Sequence, residues 1–245
     1  MNKSRVAQVS LSFWVIKILT TGMGETLADY LDHKYAPILV VLISGLVLLA
    51  AMAWQFAARH YAAIRYWFVV VMVSVFGTLA ADAVHVALSI PYWASSLFFA
   101  MVLAAIFAIW ARFEPNLAMS KITSRRAEFF YWAAVMATFA LGTAAGDWIA
   151  LGLGFGFLVG TIVFSAGFAL PLVLGKMRGI PATLGFWLAY TFTRPMGASF
   201  ADWLALPPAR GGIGLGTLNV SLIWIALILV ALVFTSRPLR AKVSV

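Results

Sequence analysis

The sequence predicts an all-α polytopic membrane protein, with eight transmembrane helices in four parallel two-helix repeats and both termini cytoplasmic. Three observations carry this expectation: the composition, eight apolar stretches of spanning length, and one motif that recurs four times. Of 245 residues, 64% are hydrophobic and 10% are charged, and the mean hydropathy is +0.99. A soluble domain is about 45–50% apolar and about 25% charged. Disorder, a coiled coil and a soluble nucleotide-binding enzyme do not fit this balance. The absence of Cys excludes a disulfide scaffold and thiolate metal sites.

A spanning helix needs about 20 mostly apolar residues. The first stretch, Leu11–Tyr30, carries Lys17, Glu25 and Asp29. Lys3 and Arg5 precede it as in a signal peptide, but Lys17 interrupts the apolar run. This stretch also carries the repeat described below, so it is expected to remain as a span. Pro37–Ala57 starts on a proline, which suits a first helical turn, and is uncharged. Tyr66–Leu88 carries Asp82 and His85, whereas Pro91–Ala111 is uncharged. Phe129–Leu151 carries Asp147, and Gly154–Leu174 carries no charge. Thr183–Leu204 contains Arg194, Pro195 and Asp202, and Thr217–Thr235 again is uncharged. No room remains for a separate soluble domain, so residues 1–245 form one membrane domain.

The basic residues orient the spans. Lys3, Arg5, Arg59, Arg65, Arg112, Lys121, Arg125, Arg126, Lys176, Arg178, Arg237, Arg240 and Lys242 fall at the termini or in loops on their side. Only Lys34 and Arg210 fall in the opposite loops. This is the positive-inside pattern, and it places both termini in the cytoplasm. It also accounts for the net charge of +9 without nucleic acid, because the cations are dispersed over short segments.

Four segments align without gaps on the pattern [FY]-W-x9-G-x3-[AG]-D. Trp14, Trp67, Trp132 and Trp187 each precede an Asp by 15 positions: Asp29, Asp82, Asp147 and Asp202. Gly24, Gly77, Gly142 and Gly197 lie five before the Asp, and a small residue lies one before it. The pattern divides the chain at about 10–60, 61–120, 121–178 and 179–245. Two spans per repeat make the repeats parallel, related by an axis along the membrane normal. The chain resembles a bacterial membrane-protein family of four tandem repeats of unknown function, each with two transmembrane segments and a characteristic tryptophan. That resemblance implies a bacterial plasma-membrane location and brings no activity with it.

Physical chemistry gives the motif its expected roles. Trp favours the headgroup level, and 15 residues at 1.5 Å rise set the Asp about 22 Å deeper. The Gly and the small residue let helices approach closely. An ionised side chain at mid-membrane costs about 2.5–3.5 kcal/mol, so five acids in the odd helices need a purpose. Capping of loops or hydrogen bonding between repeats is one expectation. An ion or proton site is the other, formed by Glu25, Asp29, Asp82, Asp147 and Asp202. His33 lies eight positions after Glu25 and His85 three after Asp82, on shared helix faces. Carboxylate and imidazole suit protons or a bound divalent metal. Pro195 is expected to kink or break the seventh helix, and Arg194 to pair with Glu25 or one of the Asp. Lys17, one turn in from Trp14, is expected to reach back to the cytoplasmic surface. Met23 and Met196, each beside a motif Gly, are expected to pack.

The function expected is transport of a small inorganic cation coupled to protons, with a divalent metal as cargo. The alternatives are a binding or sensing protein whose acids are structural, and an intramembrane acid–base enzyme, for which Gly146-Asp147 is the only slight signal.

Overall fold

The computed structural model describes residues 4–177 and 179–236, leaving aside the side chains at 86–88. Lys3, Arg178, Arg237, Arg240 and Lys242 of the charge pattern lie outside the described residues. Eight helices follow one another: α1 (Leu11–Lys34), α2 (Pro37–Ala57), α3 (Ala63–Leu88), α4 (Tyr92–Phe113), α5 (Arg125–Asp147), α6 (Gly156–Lys176), α7 (Ala182–Ala205) and α8 (Thr217–Ser236). Ser10 and Ser124 cap α1 and α5, their hydroxyls accepting from the backbone N–H of Phe13 and Ala127. Wide π-type turns over Trp148–Gly152 extend α5. The chain then reverses through Gly154 and Gly156, both at positive φ that favours glycine.

Among the described residues, six helices are long and apolar enough to cross a membrane: α2, α3, α4, α5 with its extension, α6 and α8. α1 and α7 have the length but not the apolarity, because the charges of the motif and of Lys17, Glu25 and Arg194 sit on them. Their position explains how this is tolerated. α1, α3, α5 and α7 form an inner ring in which each helix packs on the next and α7 closes on α1. The other four helices lie outside, their outer faces carrying exposed Ile38, Leu46, Leu97, Met101, Ile162 and Leu229.

The outer helices do not pack mainly on the inner helix of their own repeat. α2 lies on α3, α4 on α5, α6 on α7, and α8 returns to α1. Each repeat therefore lends its second helix to the repeat that follows, and the last lends it to the first.

The four motifs meet around the ring. The first aromatic of each touches the Trp of the next repeat: Phe13 on Trp67 at 5.7 Å, Tyr66 on Trp132 at 5.4 Å, Tyr131 on Trp187 at 6.0 Å and Phe186 on Trp14 at 5.4 Å between ring centres. The glycines meet in the same cyclic way, each facing the side chain seven positions beyond the Trp in the next repeat. Gly24 faces Ser74, Gly77 faces Phe139, Gly142 faces Arg194 and Gly197 faces Thr21. A methyl group on Gly142 would lie 2.6 Å from the Arg194 Cβ, and one on Gly197 2.9 Å from the Thr21 Cβ. The motif Gly is thus the hole into which the next inner helix inserts a side chain.

Two expectations change here. Trp67, Trp132 and Trp187 are buried inside the bundle rather than exposed on its outer surface, because each fills the space beside the neighbouring aromatic. The helix at Pro195 does not break: α7 runs on through it. Gly142 and Gly146 leave room for the Pro195 ring, and the Thr191 and Thr193 hydroxyls bond backbone carbonyls one turn back.

Candidate functional site

The residues three, seven, eleven and fifteen positions after each Trp recur every four residues and stack in layers along the ring. The layer one turn short of the aspartates holds Glu25, Thr78, Thr143 and Ala198, and the layer before it holds Thr21, Ser74, Phe139 and Arg194. Arg194 is the centre of this region. It is 0% exposed, and its guanidinium donates to the Glu25 carboxylate and the Thr78 hydroxyl, to the Thr143 hydroxyl at 3.0 Å and to the Thr21 carbonyl at 3.2 Å. Thr78 in turn donates to Glu25 at 3.1 Å. One cation from the fourth repeat thereby ties down the position after the motif Gly in the first three. Glu25, 5% exposed, is its counter-ion. The Gly-Thr pair shared by the second and third repeats was visible in the sequence, but its role as an arginine ligand was not.

The aspartate layer lies beyond. Asp29, Asp82, Asp147 and Asp202 contribute one carboxylate from each inner helix. None of the four side chains accepts a hydrogen bond among the described residues, and the Oδ1 of Asp202 is buried without a partner. Among the described residues, inter-repeat hydrogen bonding, one of the two expected roles, is met by Glu25 and not by the four Asp. The acids lie within electrostatic reach of one another: Asp29 of Glu25 and Asp147, Asp82 of Glu25 and Asp29, Asp147 of Asp82 and Glu25, and Asp202 of Glu25, Asp29 and Asp147. Arg194 is the opposing charge for all four.

The histidines do not join them. His33 is exposed, and its Nδ1 is 2.8 Å from the Asp29 backbone carbonyl. His85 has its Nδ1 2.7 Å from the Ile90 carbonyl and stacks on Tyr92 at 3.9 Å. Among the described residues no three His, Asp or Glu side chains are grouped closely enough to hold a metal ion. The seven residues expected as one ligand set are thus spread out. The physical reason is the ring itself, which sets one carboxylate on each of four helix axes about 8–10 Å from its neighbours and engages Glu25 with Arg194. Tyr92, which the sequence gave no reason to select, comes from α4 to within electrostatic reach of Asp82 and Asp147.

Two further charged groups differ from expectation. Lys17 does not reach the surface. It is 0% exposed, its Nζ lies 3.9 Å from the centre of the Phe139 ring and 4.5 Å from that of Tyr190, and it has no hydrogen bond. It sits on the inner face of α1, so no path along the helix leads its stem outward. Glu128, also 0% exposed, was not singled out in the sequence. It accepts from Arg5 at 2.7 Å and from Gln55 at 2.8 Å, and so anchors the segment before α1 across the Trp end of the bundle.

Four consecutive segments, residues 12–61, 65–116, 130–179 and 185–240, match one family, described as Repeat of Unknown Function (DUF347). No curated protein and no solved structure matches the chain.

Proposed function

Because the chain belongs to the Repeat of Unknown Function (DUF347) family, whose description assigns no activity, its activity has to be read from its own residues, and we propose that it moves a small cation across a membrane in exchange for protons. All eight helices cross the bilayer in this reading. α1 and α7 do so with their charges turned into the bundle, which is the arrangement that intramembrane ionisable groups require. Arg59, Arg65, Arg112, Lys121, Arg125, Arg126 and Lys176 gather at the Trp end and only Lys34 and Arg210 at the other. By the positive-inside rule the Trp end, with both termini, is cytoplasmic. The membrane is the bacterial plasma membrane that the sequence resemblance implies.

One observation carries the reading: four carboxylates without protein partners, one from each repeat, around an axis that a buried Arg–Glu pair closes. Four unpartnered acids in one layer attract cations and bind protons in competition with them. A cation arriving at this layer displaces protons, which is the linkage an exchanger uses. The acids stand too far apart to strip an ion of its water. The cargo is therefore a cation that keeps part of its hydration shell, and among metals carboxylate and water ligands suit Mn²⁺ or Mg²⁺. Arg194 acts as the gate. Release from Glu25 lets the guanidinium move as a side chain on an unbroken helix.

Proteoliposomes loaded with a pH-sensitive dye test this. Mn²⁺ or Mg²⁺ added outside should drive proton movement in the wild type and fail to do so in Asp29→Asn and Asp147→Asn. Equal proton movement in the wild type and both variants would overturn the proposal.

A further inference from the structure

We infer that Lys17 and the tyrosines Tyr190, Tyr131 and Tyr66 form a proton relay between the Arg194 node and the Trp end of the bundle. The inference rests on the proton-exchange reading and supplies the half of the path that the carboxylates do not.

The starting point is Lys17. Its layer also contains Val70, Val135 and Tyr190, so only the first repeat brings an amine there and only the fourth a hydroxyl. Lys17 Nζ and the guanidinium carbon of Arg194, the latter 5.7 Å away, share the ring of Phe139. Arg194 has Glu25 as counter-ion, whereas Lys17 has neither a counter-ion nor a hydrogen bond. A permanent ammonium in that position carries a large desolvation cost, which contact with aromatic faces offsets only in part. A group that takes up and releases a proton as part of a cycle explains a buried amine in this place, and a fixed charge does not.

Hydroxyls lead away from it. Tyr190 lies under Lys17, is fully buried, and makes no hydrogen bond of ordinary geometry. It is electrostatically close to Tyr131 and Tyr66, also fully buried, whose hydroxyls bond each other. The corresponding positions in the first and fourth repeats are Phe13 and Phe186, so hydroxyls occur only on the two helices that face Tyr190 together. The ring of Tyr66 meets that of Tyr61 at 5.6 Å. Tyr61 lines a cavity of about 860 Å³ at the Trp end with His60, Ser10, Ser12 and Ser120. The titratable groups around Lys17 are Arg194 and Tyr190 on α7, with Tyr131 on α5 and Tyr66 on α3 beyond. α8 brings none to α1.

The relay balances. A proton displaced from the aspartate layer converts the Lys17 amine to ammonium. The flexible stem carries the ammonium to the hydroxyl edge of Tyr190. Lys17 gives up a proton to the Tyr190 oxygen as Tyr190 passes its own to Tyr131, Tyr131 to Tyr66, Tyr66 to Tyr61 at the cavity wall, and Tyr61 to water there. Each hydroxyl then turns back, and all five groups end as they began.

Two assays on the full-length reconstituted protein separate relay from transport. Mn²⁺ counterflow, with equal Mn²⁺ on both sides and a tracer on one, needs no net proton movement. Proton-gradient-driven Mn²⁺ uptake does. Lys17→Met keeps the stem and removes the amine. Lys17→Arg keeps the charge but cannot give up a proton. Tyr66→Phe removes one hydroxyl with the ring unchanged, and tests the relay even if a Lys17 variant does not fold. All three should retain counterflow and lose driven uptake by about a hundredfold or more, the smaller end of what a lost proton-transfer group costs. Driven uptake unchanged in Lys17→Met or in Tyr66→Phe would overturn the relay alone, as would its recovery in Lys17→Arg. Absence of counterflow in the wild type would overturn the transport reading and the relay with it.

Discussion

Arg194 makes the strongest prediction at the residue scale. Removing one partner of a buried ion pair leaves the other charge uncompensated, at about 3–5 kcal/mol, whereas replacing both with apolar groups is often neutral or better. Arg194→Ala should therefore lower the thermal midpoint in detergent sharply, and Arg194→Met combined with Glu25→Leu should recover much of the loss. A double variant as unstable as Arg194→Ala would mean that the pair is not what holds these helices. Thr143→Val should cost about 1.5–3 kcal/mol, the range for a hydrogen bond to a charged group. The pairing of Arg194 with Glu25 was legible because both stand out as charges in apolar helices at nearly the same level. The place of Lys17 was not. Its distance from Trp14 gives depth along the helix, but whether a stem points outward or inward depends on which neighbours surround that face.

The helices explain why the motif has its form. A glycine five residues before each Asp was legible as a close-packing position, and the structure adds what packs into it. Because the occupant differs, the four glycines should not respond alike to alanine. At Gly77 the new methyl would meet the Phe139 Cβ at 3.3 Å, a contact that a small shift of that neighbour relieves. The gain in helix propensity of about 1 kcal/mol then offsets most of the strain. At Gly142 it would meet the stem of Arg194 and, at 2.9 Å, the Cδ of Pro195, neither of which can retreat. Gly77→Ala should leave the thermal midpoint within a few degrees of the wild type, whereas Gly142→Ala should lower it by an amount matching about 1–3 kcal/mol or more of overpacking. Equal effects would show that the cyclic fit of side chain into glycine is not what the motif preserves. Which outer helix covers which inner one was not legible, since α2, α4, α6 and α8 are mostly apolar and their few polar contacts, such as Ser221 donating to Thr26 at 2.8 Å, do not name their partner in the sequence.

Across the whole molecule, two ion pairs at the Trp end separate structural from incidental charge. Arg5 and Glu128 are largely or fully buried and join the N-terminal segment to α5, with Gln55 of α2 completing the node. Arg126 and Glu114 pair at 3.0 Å with the arginine mostly exposed. Arg5→Ala should cost about 3–5 kcal/mol by stranding Glu128. Arg126→Ala should cost no more than about 1 kcal/mol, as exposed pairs do. Thermal melts of the two variants side by side test this, and similar midpoints would refute it. The packing of each outer helix on the following repeat has a consequence for biogenesis. In a linear repeat protein, a unit can settle as soon as its neighbour exists. Here α1 rests against α8, so α1, with Lys17, Glu25 and Asp29, is synthesised long before its cover arrives. The nascent chain must shelter those charges until α8 emerges, and loss of α8 alone would undo the packing of α1, seven helices earlier in the chain.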